Sequence, residues 1–175
     1  MTRWVALLRG VNVAGITVRS ADLARLFRDL GLEGVKTVLA SGNVLFDSHL
    51  SQKELKPQIE AGLRDRFGYD AWIVLVRREE LAAAATAYPF PREDETVQPY
   101  LLFASDPAVL DELIGLIGET DPAVEAVARG DGVLYWRVRR GITTDSPVGK
   151  VLARPRYKST TTNRNLRTVE RLLEA

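Results

Sequence analysis

Four polar residues at two places in the chain have the types that an anion site uses. Arg9 and Asn12 follow the apolar run Trp4, Val5, Ala6, Leu7 and Leu8, while Ser41 and Asn43 flank Gly42. Arginine grips phosphate or carboxylate through a planar fork, and Gly10 and Gly42 would let a ligand approach the backbone closely. A plainer reading serves the same residues: Arg9 pairs with a carboxylate at a strand end, and the asparagines bond turn backbone.

A second concentration covers 160–168. Thr162, Arg164, Asn165 and Thr168 lead into an amphipathic stretch. Free N–H groups and the positive end of a helix dipole there would hold a phosphate, assisted by Lys158 and Arg167. The plainer reading is an elaborate N-cap that docks a terminal helix. In 133–140, alternation puts Leu134, Trp136 and Val138 on one face and Tyr135, Arg137 and Arg139 on the other. An aromatic between cations on an exposed sheet face suits stacking and phosphate contact with single-stranded nucleic acid. A solvated or internally paired face is the alternative.

Several chemistries are excluded or lack their residues. The absence of cysteine removes disulfides, thiolate metal sites and cysteine nucleophiles, and suits a reducing compartment. His49 is the only histidine, and nothing in the spacing assembles a Ser/His/Asp triad around it. Gly149-Lys150 is followed by Val151 and lacks the upstream glycine of a phosphate loop, and no G-x-G-x-x-G run is present. Glu79-Glu80 and Glu93-Asp94-Glu95 read as solvated runs, so no metal or cofactor is expected. A hydrophobic fraction of 46% in 175 residues fits one sizeable domain or two small ones, and no apolar run reaches the ~20 residues that span a bilayer. Cytoplasmic residence is the expectation, since the N-terminus has no leader-like pattern.

Charge is segregated along the chain. Residues 1–128 hold 13 Lys+Arg against 19 Asp+Glu, and residues 129–175 hold 11 against 4. This pattern fits a polyanionic partner, or pairing of one half of the molecule with the other.

The elements that would position these residues follow from periodicity. After the first strand, Ser20 is the expected cap of a helix carrying Leu23, Leu26, Phe27 and Leu30 at helical spacing, closed by Gly31. Residues 35–40 and 44–47 read as a hairpin turning on Gly42-Asn43. Ser51 and Glu54 have capping-box spacing, but Pro57 lies six residues past Ser51, so regular helix is expected from 55 or 56 to 67. The unbroken apolar run 71–76 predicts a strand covered on both faces, hence central in its sheet.

The order strand, helix, strand, strand, helix, strand over the first 78 residues is that of the ferredoxin-like split β-α-β motif. A helix over 79–88 and a polar connector follow. The pattern then restarts: strand 100–104, helix 107–117, strand 123–128, a turn at Gly130-Asp131-Gly132, and strand 133–139. A short helix over 146–153, broken at Arg154-Pro155, and a last helix over 166–174 capped by Asn165 or Thr162 complete the chain. The expected fold is α/β (α+β), with two ferredoxin-like halves of mainly antiparallel sheet plus a C-terminal helix. The halves are 1–78 and 99–175, with 79–98 between them, as separate parts or as one compact unit.

Leu8-Arg9-Gly10-Val11-Asn12-Val13, the segment 35–46 around Ser41-Gly42-Asn43, Pro89-Phe90, and 162–169 together resemble the bacterial family called domain of unknown function 1697. The resemblance implies an α/β fold of two related halves in a cytoplasmic bacterial protein, and no particular activity. The chain departs from the family pattern at Ala14-Gly15-Ile16-Thr17, where a glycine and a lysine are common, and at Asn163 and Leu166. Arg164, Asn165 and Thr168 match.

These features support binding of a phosphate-bearing ligand, with nucleic acid the first polyanion to consider, and no recognisable catalytic apparatus. An enzyme or sensor acting on a small phosphorylated metabolite at the polar tips is the alternative, and a protein interaction module a third reading.

Overall fold

The computed structural model describes residues 1–11, 15, 17–40 and 42–175. The element order is β1(Thr2–Arg9), α1(Ser20–Asp29), β2(Glu33–Val38), β3(Asn43–Ser48), α2(Gln52–Phe67), β4(Trp72–Arg77), α3(Arg78–Thr86), β5(Val97–Ala104), α4(Pro107–Ile117), β6(Glu125–Gly130), β7(Val133–Arg139), α5(Pro147–Leu152), α6(Pro155–Lys158), β8(Thr161–Asn165) and α7(Leu166–Glu174). Two antiparallel sheets form, in the orders β2-β3-β1-β4 and β6-β7-β5-β8. In each, the first strand of the half lies between the third and the fourth, so both halves have the ferredoxin-like arrangement that the sequence predicts. The chain divides into two compact units, Met1–Leu81 with Arg171–Ala175, and Ala82–Glu170.

In unit one, Trp4, Ala6 and Leu8 alternate on one face of β1 and pack with Val44, Phe46, Ile73 and Leu75 beneath α1 and α2. Leu23, Leu26 and Phe27 come from α1, and Leu55, Ile59 and Leu63 from α2. Phe27 meets Phe46 edge-to-face at 5.5 Å. Full burial of each large apolar side chain contributes about 1.5–3 kcal/mol. The other face carries Val5, Leu7, Leu45, Val74 and Val76, also buried.

The cap of α1 falls one residue earlier than expected. Its N-cap is Arg19, whose carbonyl accepts from Leu23 N–H, and Ser20 is exposed in the first turn. Gly31, at φ +81°, ends the helix as expected: its N–H bonds Arg28 O, and Leu32 N–H bonds Phe27 O. In α2 the Ser51–Glu54 capping box holds despite Pro57, and Ser51 N and Oγ both donate to the Glu54 carboxylate, at 2.8 and 2.7 Å. Lys53, whose carbonyl loses its partner to Pro57, is exposed, so water can replace that hydrogen bond.

Two further expectations are corrected. Val38 pairs with Asn43, so Asn43 belongs to the returning strand and not to the turn. β4 is an edge strand, not a central one. Its open side is occupied by α2 side chains: Gln52, Lys56 and Arg64 donate to the carbonyls of Leu75, Ile73 and Ala71, and Glu60 accepts from Ile73 N–H. Lys56 and Glu60 also pair with each other at 3.0 Å. An unbroken apolar run reports cover on both faces and does not report what lies alongside.

In unit two, Leu102, Leu134, Trp136 and Val138 pack against Val109, Leu110 and Leu113 of α4, with Val148, Leu152 and Tyr157 from α5 and α6. Tyr100 stacks on Trp136 at 5.2 Å. Asp131-Gly132 is the two-residue turn between β6 and β7, since Gly130 pairs with Val133. β8 was not expected. Residues 161–165 pair with β5, so the polar segment is a strand rather than the extended cap of α7. Asn165, not Thr162, caps that helix, its Oδ1 accepting from Arg167 N–H at 3.0 Å.

Two helical glycines give opposite expectations. A Cβ at Gly149 would lie 2.0 Å from the Thr143 carbonyl oxygen, whereas one at Gly115 meets nothing within 4 Å. Gly149→Ala is expected to cost at least ~1–3 kcal/mol by overpacking, and Gly115→Ala to add roughly 0.5–1 kcal/mol of helix stability. Urea unfolding of the two variants checks both signs.

Candidate functional site

The residues singled out from the sequence fall in both units. In unit one, Arg9 closes β1 opposite Trp72, and Asn43 opens β3 opposite Leu7, so both stand at one end of the sheet. Arg9 is partly buried, which pulls its pKa down. Asn43 is fully buried, and its Nδ2 donates to Val38 O at 2.9 Å, tying the two arms of the hairpin together. Gly42, at φ +79°, is needed for packing: a Cβ there would meet Val11 Cγ2 at 2.6 Å and Leu8 Cβ at 2.9 Å. Its backbone is thus covered by side chains instead of open to a ligand. Asn12 and Ser41 lie outside the described residues.

In unit two, β8 divides the remaining candidates. Thr162 and Arg164 alternate onto one face, where Arg164 donates to Thr162 Oγ1 at 2.7 Å and to Asn163 O at 2.8 Å. Both are buried, with Leu101 and Phe103 as their strand partners. Lys158, exposed at the end of α6, stands before the start of β8, while Asn165 and Thr168 follow at its far end and in α7. The segment therefore does not converge as a whole.

The face of β7 read as a nucleic-acid surface is not an open platform. Tyr135 is 3% exposed and donates its hydroxyl to Ala84 O at 2.7 Å. Arg137 donates to Pro122 O and lies over the Phe90 ring at 5.6 Å, leaving Arg139 exposed. A base has no room to stack on Tyr135.

A different grouping surrounds the end of β8. Asn165 donates to Gln98 Oε1 at 3.0 Å and shares a cavity of about 120 Å³ with Arg92, Arg140 and Arg167. Arg140 is steered by its Nε bond to Glu95 O at 2.8 Å. Arg92 lies 5.9 Å from the centre of the Tyr88 ring and pairs with Glu170 at 3.4 Å. Asp94 is the one acid in the lining; side-chain and backbone bonds from Thr96 hold its pKa below the ordinary value. Arg92 and Arg140 had no distinguishing signal in the sequence, because only the pairing of β5 with β8 brings their segments to Asn165 and Arg167.

Among the described residues, no cluster of three or more His, Cys, Asp or Glu could hold a metal, and no helix is long and apolar enough to cross a membrane.

Fold and site together define an α+β protein of two ferredoxin-like halves with a small arginine-lined cavity in the second. The chain belongs to DUF1697, a family of proteins of unknown function, whose family model matches residues 1–135. No curated protein matches it. Among solved structures it is similar to the conserved bacterial protein SP0830 from Streptococcus pneumoniae, with a TM-score of 0.81 and 24% identity over 99% of this chain and 97% of that one. At that identity the likeness carries the fold alone.

Two buried donors lack an acceptor where the connector meets β7, Tyr88 O–H of the connector and Arg137 Nε–H of β7. Burial pushes the Tyr88 phenol up to about 12, although Arg137 and Arg92 pull it down. Tyr69 is likewise pushed to about 12 by burial. The folded protein thus keeps protons that the unfolded chain loses near pH 10, so stability is expected to fall as pH rises from about 10 through 12. Tyr88→Phe is expected to shallow that fall and, by removing an unpartnered hydroxyl, to stabilise by roughly 1 kcal/mol at neutral pH. Urea unfolding across pH 7–11 measures both effects; a Tyr88→Phe protein less stable at neutral pH would show that the hydroxyl is bonded.

Proposed function

We propose that this protein binds a small phosphate-bearing ligand through the cavity at the end of β8, without acting on it chemically. The observation that carries the reading is the convergence of Arg92, Arg140 and Arg167 with the amides of Asn165 and Gln98 around one cavity. Three arginines line it with a single carboxylate, Asp94. Arg92 is already engaged by Glu170 and by the carbonyls of Ala85 and Thr86, so Arg140 and Arg167 supply the forks that would match a phosphoryl group. A volume of about 120 Å³ is well below the ~300–1,000 Å³ of pockets that enclose a whole drug-sized ligand. It suits a phosphoryl group whose remaining parts extend into solvent. Asp94, the only carboxylate in the lining, is occupied by Thr96, which favours a binding or sensing role over catalysis.

An extended polyanion has less support. The charge segregation along the sequence disappears within the units: Ala82–Glu170 holds 11 Lys+Arg and 12 Asp+Glu, and the other unit holds 13 and 11. Late cations pair with earlier acids, Arg129 with Asp111 and Arg156 with Glu112.

Calorimetric titration and thermal melting with inorganic phosphate and pyrophosphate, at ionic strength matched with chloride, test the proposal. Saturable stabilisation is expected, with Kd rising at least tenfold in the double variant Arg140→Ala/Arg167→Ala. A single-stranded 12-mer should give no mobility shift even at low salt, where phosphate contacts are strongest. Absence of stabilisation, or stabilisation undiminished in the double variant, overturns the reading.

A further inference from the structure

The polar groups around the arginine-lined cavity are only partly engaged within the protein. Asn165 is fully used: its Oδ1 accepts from Arg167 N–H and its Nδ2 donates to Gln98 Oε1, both at 3.0 Å. The second bond orients the Gln98 amide, whose Nε2 has no hydrogen-bond partner among the described residues. Arg140 Nε donates to Glu95 O, while its two Nη groups and the Arg167 guanidinium make no hydrogen bond or ion pair with a described residue. The spare groups are donors, with one exception.

The exception is Asp94, half-buried in the same lining. Thr96 N–H and Oγ1–H both donate to its Oδ1, at 3.0 and 2.5 Å, and its Oδ2 accepts from no described residue. The bonds from Thr96, helped by the charge of Arg137, hold its pKa below the ordinary value, so at neutral pH it is an ionised acceptor and a poor base. A ligand that is only an anion is repelled by this carboxylate. A ligand with a hydrogen-bond donor beside its phosphoryl group turns the same oxygen into a contact.

The charges decide which donor fits. An ammonium would stand in the field of Arg92, Arg140 and Arg167 in the lining, and of Arg137, whose charge already acts on Asp94. A hydroxyl carries no charge and is donor and acceptor at once, so it can donate to Asp94 Oδ2 and accept from Gln98 Nε2.

We propose that the ligand of this cavity is a phosphomonoester with a hydroxyl beside the phosphoryl group, the chemistry of a polyol or sugar phosphate. This rests on the phosphate reading and narrows it. Arg140 and Arg167 take the phosphoryl oxygens, whose near-double charge at neutral pH matches two guanidinium groups. Gln98 and Asp94 take the hydroxyl without transfer of its proton, and Pro91, Val97 and Pro99 supply apolar wall for the carbon chain.

Calorimetry on the full chain at pH 7 compares three phosphomonoesters of similar size, 2-hydroxyethyl, propyl and 2-aminoethyl phosphate, with inorganic phosphate as the reference. The hydroxyethyl ester is expected to bind at least roughly fivefold tighter than the other two. Asp94→Asn keeps an oxygen for Thr96 and replaces the unused acceptor by an amide. It should reduce the preference to below about twofold while inorganic phosphate binds more tightly, a gain that mere loss of structure would not give. Equal binding of the hydroxyethyl and propyl esters, a preference for the aminoethyl ester, or a preference unchanged in Asp94→Asn overturns the hydroxyl assignment and leaves the phosphate reading standing. If neither inorganic phosphate nor any ester binds, both fall.

Discussion

The pairing of β5 on both of its edges is the constraint on which the second unit depends. Tyr100 lies opposite Trp136 on one side and Asn165 on the other, and every residue of the sheet takes its face from that register. A slip of one residue in β8 would turn Arg164 onto the face of Leu102 and Trp136, beneath the helices, and carry Asn165 away from Gln98. The present register buries Arg164 where Thr162 and Asn163 can accept from it, and leaves Asn165 to cap α7. The arginine-lined cavity is thus a consequence of strand pairing, with no binding motif in the local sequence.

The architecture was largely legible because both halves obey strong local periodicities. Alternation placed Leu134, Trp136 and Val138 on one face of β7, and helical spacing identified α1, α4 and α7. Errors arose where long-range partners outweighed local preference. Pro57 argued for a late start to α2, but the capping box and the row of side chains reaching β4 hold the helix from Gln52. The burial of 71–76 argued for a central strand, yet those same side chains occupy the edge. For β8, five polar residues, with Thr161, Thr162 and Asn163 before Arg164 and Asn165 after it, resembled a cap more than a strand. The first half had already shown that the motif needs a fourth strand, and 159–165 was the remaining stretch able to supply it in the second.

The candidate site was less legible, for a physical reason. Residue type reveals what a side chain can bind, while burial decides whether a ligand can reach it. Asn43, Thr162, Arg164 and Tyr135 all have suitable chemistry, and all are buried. Arg92 and Arg140 looked like connector and strand-end charges, and they line the cavity with Arg167. Of the two readings of the charge segregation, internal pairing has the structural support, because Asp111 and Glu112 on α4 pair with Arg129 and Arg156 from the basic end of the chain.

The central claim is that the arginines around Asn165 form the anion-binding surface of this protein. Heteronuclear NMR of the full chain, titrated with inorganic phosphate at constant ionic strength, locates binding residue by residue. The account predicts saturable shifts concentrated at Arg92, Arg140, Arg167 and the Asn165 side-chain amide. Shifts confined to Arg9 and Gly42–Asn43, or no saturable shift anywhere, would contradict it.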